Sequence, residues 1–170
     1  MKNLILIFLV LGVTGAVGAQ DSAAYFTAFG NLVGSKWESS GKWTDGTPFS
    51  QEVVVSGSLR GKLIKVQTYS NEGGAGTERT LRNDGIRAWD ATASKMRFWE
   101  FDIHGGITEG YCTVDGSDIY YHYHYDPGGG IMKLTDGWIQ KDRDTYDYKV
   151  GVFENGKWTK VFLEAVMRRQ

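Results

Sequence analysis

The chain carries one cysteine, Cys112, and two prolines among 170 residues. A single thiol excludes an internal disulfide, so the fold must be held by its core. So few prolines exclude a polyproline or mucin-like stalk. An excess of charge of either sign is also missing. Nineteen Lys and Arg stand against twenty Asp and Glu, for a net charge of −1. No basic stripe provides an electrostatic footprint for nucleic acid or for an anionic membrane, and neither is expected as a partner.

Long apolar runs are equally scarce. The longest, Leu4–Val13, is interrupted only by Gly12 and is too short to cross a bilayer comfortably. Lys2 precedes it, small residues Val17-Gly18-Ala19 follow it, and then come polar Gln20 and Asp21. That order is a signal peptide over residues 1–19 with cleavage before Gln20. The expectation is an exported chain, periplasmic or extracellular, whose mature part has a net charge of −2 and makes no stable membrane insertion. No cysteine lies near the cut to carry a lipid.

Several catalytic signatures are missing too. There is no Gly-x-Ser-x-Gly, and Gly57-Ser58 and Gly116-Ser117 lack a strand–elbow–helix setting, which disfavours a serine hydrolase. No His-Glu-x-x-His occurs. The glycine tracts at Gly73–Gly76 and Gly128–Gly130 lead into neither a Lys–hydroxyl pair nor a helix, so they are not phosphate cradles. No cofactor is expected from these patterns. Cys112, inside a strand-like run, reads as a small buried apolar residue rather than a nucleophile.

What is present is glycine (23 residues) and aromatics (14%), in a chain of 41% hydrophobic residues. In Leu32–Phe49, Trp37, Ser39, Gly41 and Trp43 share one parity, and Lys36, Glu38, Ser40 and Lys42 share the other. Successive strand residues point to opposite faces, so this is a strand with one side in a core and one in water. Ahead of it, Tyr25, Phe26, Phe29 and Leu32 form one apolar stripe. They predict a short helix over Ser22–Leu32, capped by Asp21 or Ser22, ended by Gly34 and plugging one end of a β-domain.

Beyond Lys36 the chain alternates between strand-like runs and turn dipeptides. Asp45-Gly46, Asp84-Gly85, Asp115-Gly116 and Asn155-Gly156 suit two-residue hairpins, while Asn71–Gly76 and Pro127–Gly130 look like loop tips. Asp136-Gly137 falls inside a run and reads as a turn or a bulge. The expected fold is all-β, with about eight to eleven strands and a short N-terminal helix, as a single domain over residues 20–170. Closure into an up-and-down antiparallel barrel would remove the exposed edges, and short hairpins favour it over a sandwich.

A short helix, then Gly34-Ser35-Lys36-Trp37, then a continuous meander resembles the lipocalin-like barrels of the calycin group. Gly41-Lys42-Trp43 matches the Gly-x-Trp spacing of lipocalins. Arg97–Asp102, Gly105-Gly106, Glu109-Gly110, Asp144–Tyr146, Gly156–Trp158 and Arg168-Arg169 extend a similarity to a family of bacterial secreted proteins of unknown function. The resemblance implies that Trp37 or Trp43 seals one end and that a late arginine, Arg168, covers it.

Candidate functional residues lie on the strands. In Asp118–Asp126, Ile119, Tyr121, Tyr123 and Tyr125 share one face; Asp118, Tyr120, His122, His124 and Asp126 share the other. Two histidines at i and i+2 can share a metal if Glu100, Asp102 or His104 supplies a third ligand, but no recognised metal spacing is present. Aromatics carry the stronger signal. Trp89, Trp99, Phe101, Tyr121 and Tyr123, with His122 and His124, form the candidate ligand-binding set. Lys65 and Gln67, alternating with Ile64 and Val66, are candidate polar anchors. The leading expectation is a barrel that binds a small hydrophobic or amphiphilic molecule. The alternatives are a hydrolase or isomerase using His122, His124 and Glu100 or Asp102, a haem- or metal-binding barrel, and a filled structural barrel.

Overall fold

A computed structural model describes residues 17–71, 78–126 and 128–170, with side chains from residue 22 onward. Residues 1–16, which hold most of the expected signal peptide, residues 72–77, which hold most of the expected loop tip Asn71–Gly76, and Pro127 lie outside the described residues.

Helix α1 (Val17–Gly30) is followed by strands β1 (Ser35–Trp43), β2 (Pro48–Ser58), β3 (Leu63–Asn71), β4 (Arg79–Asp90) and β5 (Lys95–Asp102). Then come β6 (Ile107–Asp115), β7 (Asp118–Tyr125), β8 (Met132–Asp142), β9 (Thr145–Glu154) and β10 (Lys157–Arg169). Each strand pairs antiparallel with its sequence neighbour, and β1 pairs with β10. The result is a closed ten-stranded barrel, the up-and-down architecture expected. Closure explains how so many strands coexist without a free edge.

Three of the four turn dipeptides do what the sequence suggests. Gly46, Gly116 and both Asn155 and Gly156 adopt positive φ at hairpin turns. Asp84-Gly85 does not turn. It lies in the middle of β4, where Gly85 faces Glu100 of β5 in unbroken register. Asp136-Gly137 is regular strand as well, and the irregularity of β8 falls between Gln140 and Asp142.

Helix α1 begins earlier than its apolar stripe, at Val17, so Asp21 and Ser22 lie inside it and not at its N-cap. The helix packs against β5, β6 and β7 and closes one end of the barrel. Phe29 and Leu32 are fully buried there, and Tyr25 tilts against Trp89 of β4 at 5.4 Å. The chain then leaves through Gly34 at φ +81°, whose N–H donates to the Val55 carbonyl.

Trp37 is the seal. It is completely buried and meets Tyr146 and Trp138 edge-on at 5.2 and 6.0 Å. Its cover is Arg169, not Arg168. The Arg169 guanidinium stands 4.6 Å from the Trp37 ring centroid, donates to the Asn31 carbonyl at 2.6 Å, and pairs with Asp144 at 2.8 Å. Strand parity gives the reason. Met167 faces inward and is buried, so Arg169 shares its face, whereas Arg168 is exposed. Trp43 serves a different place, half-buried against Phe49 near the first hairpin. The core continues through Val53, Val55, Ile64, Met96, Cys112, Ile119 and Leu163. Burial pushes the Cys112 thiol up to about 12, so it stays protonated.

Candidate functional site

Away from the helix plug, the barrel interior changes character. Strands β4, β5, β7, β8 and β9 deliver Arg87, Glu100, Tyr123, Asp136 and Tyr148 to it. The parity that buries Met96 and Phe98 carries Glu100 inward, and the one that buries Tyr121 carries Tyr123 inward. The candidate site is this group of polar side chains with its aromatic walls.

Arg87 lies at its centre, only 3% exposed. Its Nη2 forms a close ion pair with Glu100. Its guanidinium carbon lies 5.0 Å from the Tyr121 ring centroid and 5.5 Å from that of Phe98. Burial works against the Arg87 charge, but the Glu100 carboxylate more than offsets it, and the group stays ionised. Two of its nitrogens remain unmatched: Arg87 Nε and Nη1 are buried and meet no acceptor in hydrogen-bonding geometry among the described residues. A buried unsatisfied donor costs about 1–3 kcal/mol, so this is an expensive way merely to fill a barrel.

Gly85 makes the arrangement possible. A Cβ at that position would lie 2.6 Å from Arg87 Nη1, 2.8 Å from Glu100 Cγ and 2.8 Å from the Trp99 carbonyl. Gly110 does the same for the wall, since a Cβ there would lie 2.8 Å from the Phe98 ring.

Asp136 is the second carboxylate. Tyr123 Oη donates to its Oδ1 at 2.8 Å, and Tyr148 Oη donates to its Oδ2 at 2.9 Å. Burial raises the Asp136 carboxyl to about 6, although both tyrosine hydrogen bonds favour the ionised form. The Tyr123 and Tyr148 hydroxyls are pushed above their ordinary range, first by burial and then by Asp136. Across β7 and β8, Asp136 stands opposite Tyr121, whose ring flanks Arg87. The two charged groups therefore belong to one cluster of interior side chains.

The candidate residues read from the sequence divide by face. Trp89, Tyr121 and Tyr123 point inward; Trp89 is at the helix end and the two tyrosines belong to the polar cluster. Trp99, Phe101, His122 and His124 lie on the outer face, and the structure does not bring them to the interior. Trp99 Nε1 donates to Glu109, and Arg97 covers its ring at 5.0 Å. Phe101 and His124 are exposed. His122 sits between two hydroxyls, with Nε2 2.8 Å from Thr113 Oγ1 and Nδ1 3.0 Å from Thr135 Oγ1. Burial lowers its tendency to protonate.

The proposed metal partners separate in the same way. Glu100 points inward, Asp102 accepts the His104 and Gly106 backbone N–H groups at 2.8 Å each, and His104 is exposed in the turn. Among the described residues, no group of three or more His, Cys, Asp or Glu is placed to hold a metal. Lys65 and Gln67 are not interior anchors. Ile64 and Val66 take the inner face, and Lys65 pairs with Asp84 outside at 3.1 Å.

Sequence reasoning missed Arg87, Asp136 and Tyr148 as members of a site. The signal was present in Gly85, Arg87 and Trp89, which share one parity. Reading Asp84-Gly85 as a turn cut that strand in two and hid it.

A separate cleft of about 450 Å3 opens on the barrel wall where β1 meets β10. The register holds from Glu38↔Arg168 to Gly41↔Ala165, but the strands do not pair at Ser39 and Ser40 between them. Ser39, Ser40, Val166 and Arg168 line the opening, and the Ser39 hydroxyl is buried without a hydrogen-bond partner among the described residues. This cleft is on the opposite side of the barrel from β5 and lies apart from the Arg87 cluster.

The closed antiparallel barrel is consistent with the calycin superfamily in general. Compared with known proteins, the chain matches no protein-family model and no curated protein sequence.

Proposed function

We propose that the barrel binds a small, largely apolar molecule in its interior, with its polar end at Arg87. The observation that carries this reading is the pair of buried Arg87 nitrogens, Nε and Nη1, left without hydrogen-bond partners among the described residues beside the edge-to-face pair of Phe98 and Tyr121. An apolar wall with a few convergent polar groups is the usual make-up of a ligand site. The reading keeps the lipocalin-like expectation of a carrier or binding protein, exported from the cell. The neutral dye Nile red is the direct test: one equivalent should bind with a blue-shifted emission, and native mass spectrometry of protein purified without detergent should reveal a bound metabolite. Failure of every apolar probe to bind would remove the proposal.

Asp136 favours a second reading. A carboxyl that titrates near 6 beside a charged guanidinium is suited to move a proton to and from a carbon next to a carbonyl. This would make the protein an isomerase-type enzyme acting through Asp136 rather than through His122 or His124. Exchange of the methyl protons of 2-acetylnaphthalene into heavy water, followed by NMR, tests it. Catalysed exchange lost in Asp136→Asn supports the enzyme; exchange no faster than with buffer alone leaves the binding protein.

A further inference from the structure

We infer that the interior site selects a neutral ligand ending in a carbonyl-type hydrogen-bond acceptor and discriminates against the corresponding carboxylate. This rests on the reading of the barrel interior as a ligand site and names what that site accepts.

The inference comes from counting charge and hydrogen bonds in the cluster. Arg87 offers two buried nitrogens, Nε and Nη1, with no hydrogen-bond partner among the described residues, so the ligand must bring an acceptor. The positive charge of Arg87, however, is already matched by Glu100. A second carboxylate, Asp136, belongs to the same interior cluster, with both oxygens held by tyrosine hydroxyls. One cation thus already faces two acids. A ligand carboxylate would add a third negative charge with no cation left to meet it, in surroundings where an unpaired charge is costly. A ligand ammonium would meet the Arg87 charge and give its N–H groups nothing to bind. A ketone, ester or amide oxygen satisfies the donors and adds no charge. The edge-to-face pair of Phe98 and Tyr121 beside the guanidinium offers an apolar surface for the body behind that oxygen.

The experiment is equilibrium dialysis of the full chain against three molecules of one shape: 2-acetylnaphthalene, 2-naphthoate and 2-ethylnaphthalene. The ketone is expected to bind about tenfold more tightly than either of the others, the ratio that one hydrogen bond to a charged donor supplies. In Arg87→Met the ketone should fall to the level of 2-ethylnaphthalene. In Glu100→Gln, which keeps the side-chain shape and frees the Arg87 charge, 2-naphthoate should gain on the ketone by about tenfold or more. That second variant keeps the test decisive if Arg87→Met does not fold. Naphthoate binding as tightly as the ketone to the unmodified protein would overturn the inference. Equal binding of ketone and 2-ethylnaphthalene would overturn it too, while leaving an apolar interior site standing. If none of the three binds, the interior site itself falls and the inference with it.

Discussion

The Arg87 guanidinium occupies the space that a side chain at Gly85 would fill: a Cβ there would come within 2.6 Å of Nη1. Glycine in the middle of a strand ordinarily weakens it. Here it admits a charged group into the barrel, and the strand continues through Asp90.

Gly85→Ala should therefore destabilise the protein although alanine is the better strand residue. The new methyl meets not only flexible ends but also the Trp99 carbonyl at 2.8 Å, which cannot move without disturbing the β4–β5 ladder. Overpacking of this kind costs about 1–3 kcal/mol. Urea denaturation should show a lower midpoint with an unchanged slope. The same substitution should weaken any interior ligand, because Arg87 must shift.

Arg169 and Arg168 offer a matched pair. Arg169→Ala removes the cover from Trp37, the bond to the Asn31 carbonyl and the ion pair with Asp144. Arg169 is half-buried and bonds a backbone carbonyl beneath the exposed Asp144, so its removal costs more than that of a surface pair, and a loss of about 1–3 kcal/mol is expected. Arg168→Ala, at an exposed position, should change stability by less than about 0.5 kcal/mol. Equal effects of the two substitutions in urea would contradict the assignment of the seal.

The pH dependence of stability should carry the mark of Asp136. Its folded-state carboxyl is raised to about 6 from an ordinary value of 3.8. The unfolded chain therefore gives up this proton first, and the stability contributed by protonated Asp136 is present below about pH 4. It is lost as pH rises towards 6 and stays lost above that. A shift of that size corresponds to an upper limit of roughly 3 kcal/mol. Asp136→Asn cannot ionise, so its stability relative to the unmodified protein should improve between pH 4 and pH 7. Parallel stability curves for the two proteins over that interval would show that Asp136 keeps an ordinary carboxyl.

Much of the fold was legible because strand parity is a local property. Trp37 and Ser39 alternating with Lys36 and Glu38 specify an inner and an outer face with no knowledge of neighbours. The histidine run of β7 divides as its parity requires. Parity cannot say which face is the inner one, and for that reason His122 and His124 entered the candidate set alongside Tyr121 and Tyr123. The Arg87 cluster was hidden for a different reason. A glycine after an aspartate has the local chemistry of a turn, and only the packing of Glu100 and Trp99 around Gly85 keeps it in a strand. Asp136 was hidden by the same ambiguity at Asp136-Gly137. There the missing Cβ makes room on the outside for Trp158, whose ring would lie 2.7 Å from it.

The most direct measurement is the NMR signal of the Arg87 Nε–H, assigned by its loss in Arg87→Lys and followed while 2-acetylnaphthalene is added. A donor that is buried and unpartnered in the free protein should move downfield as it gains an acceptor, saturating together with the binding isotherm. A signal that stays in place while the ligand saturates the protein would mean that Arg87 does not hold the ligand.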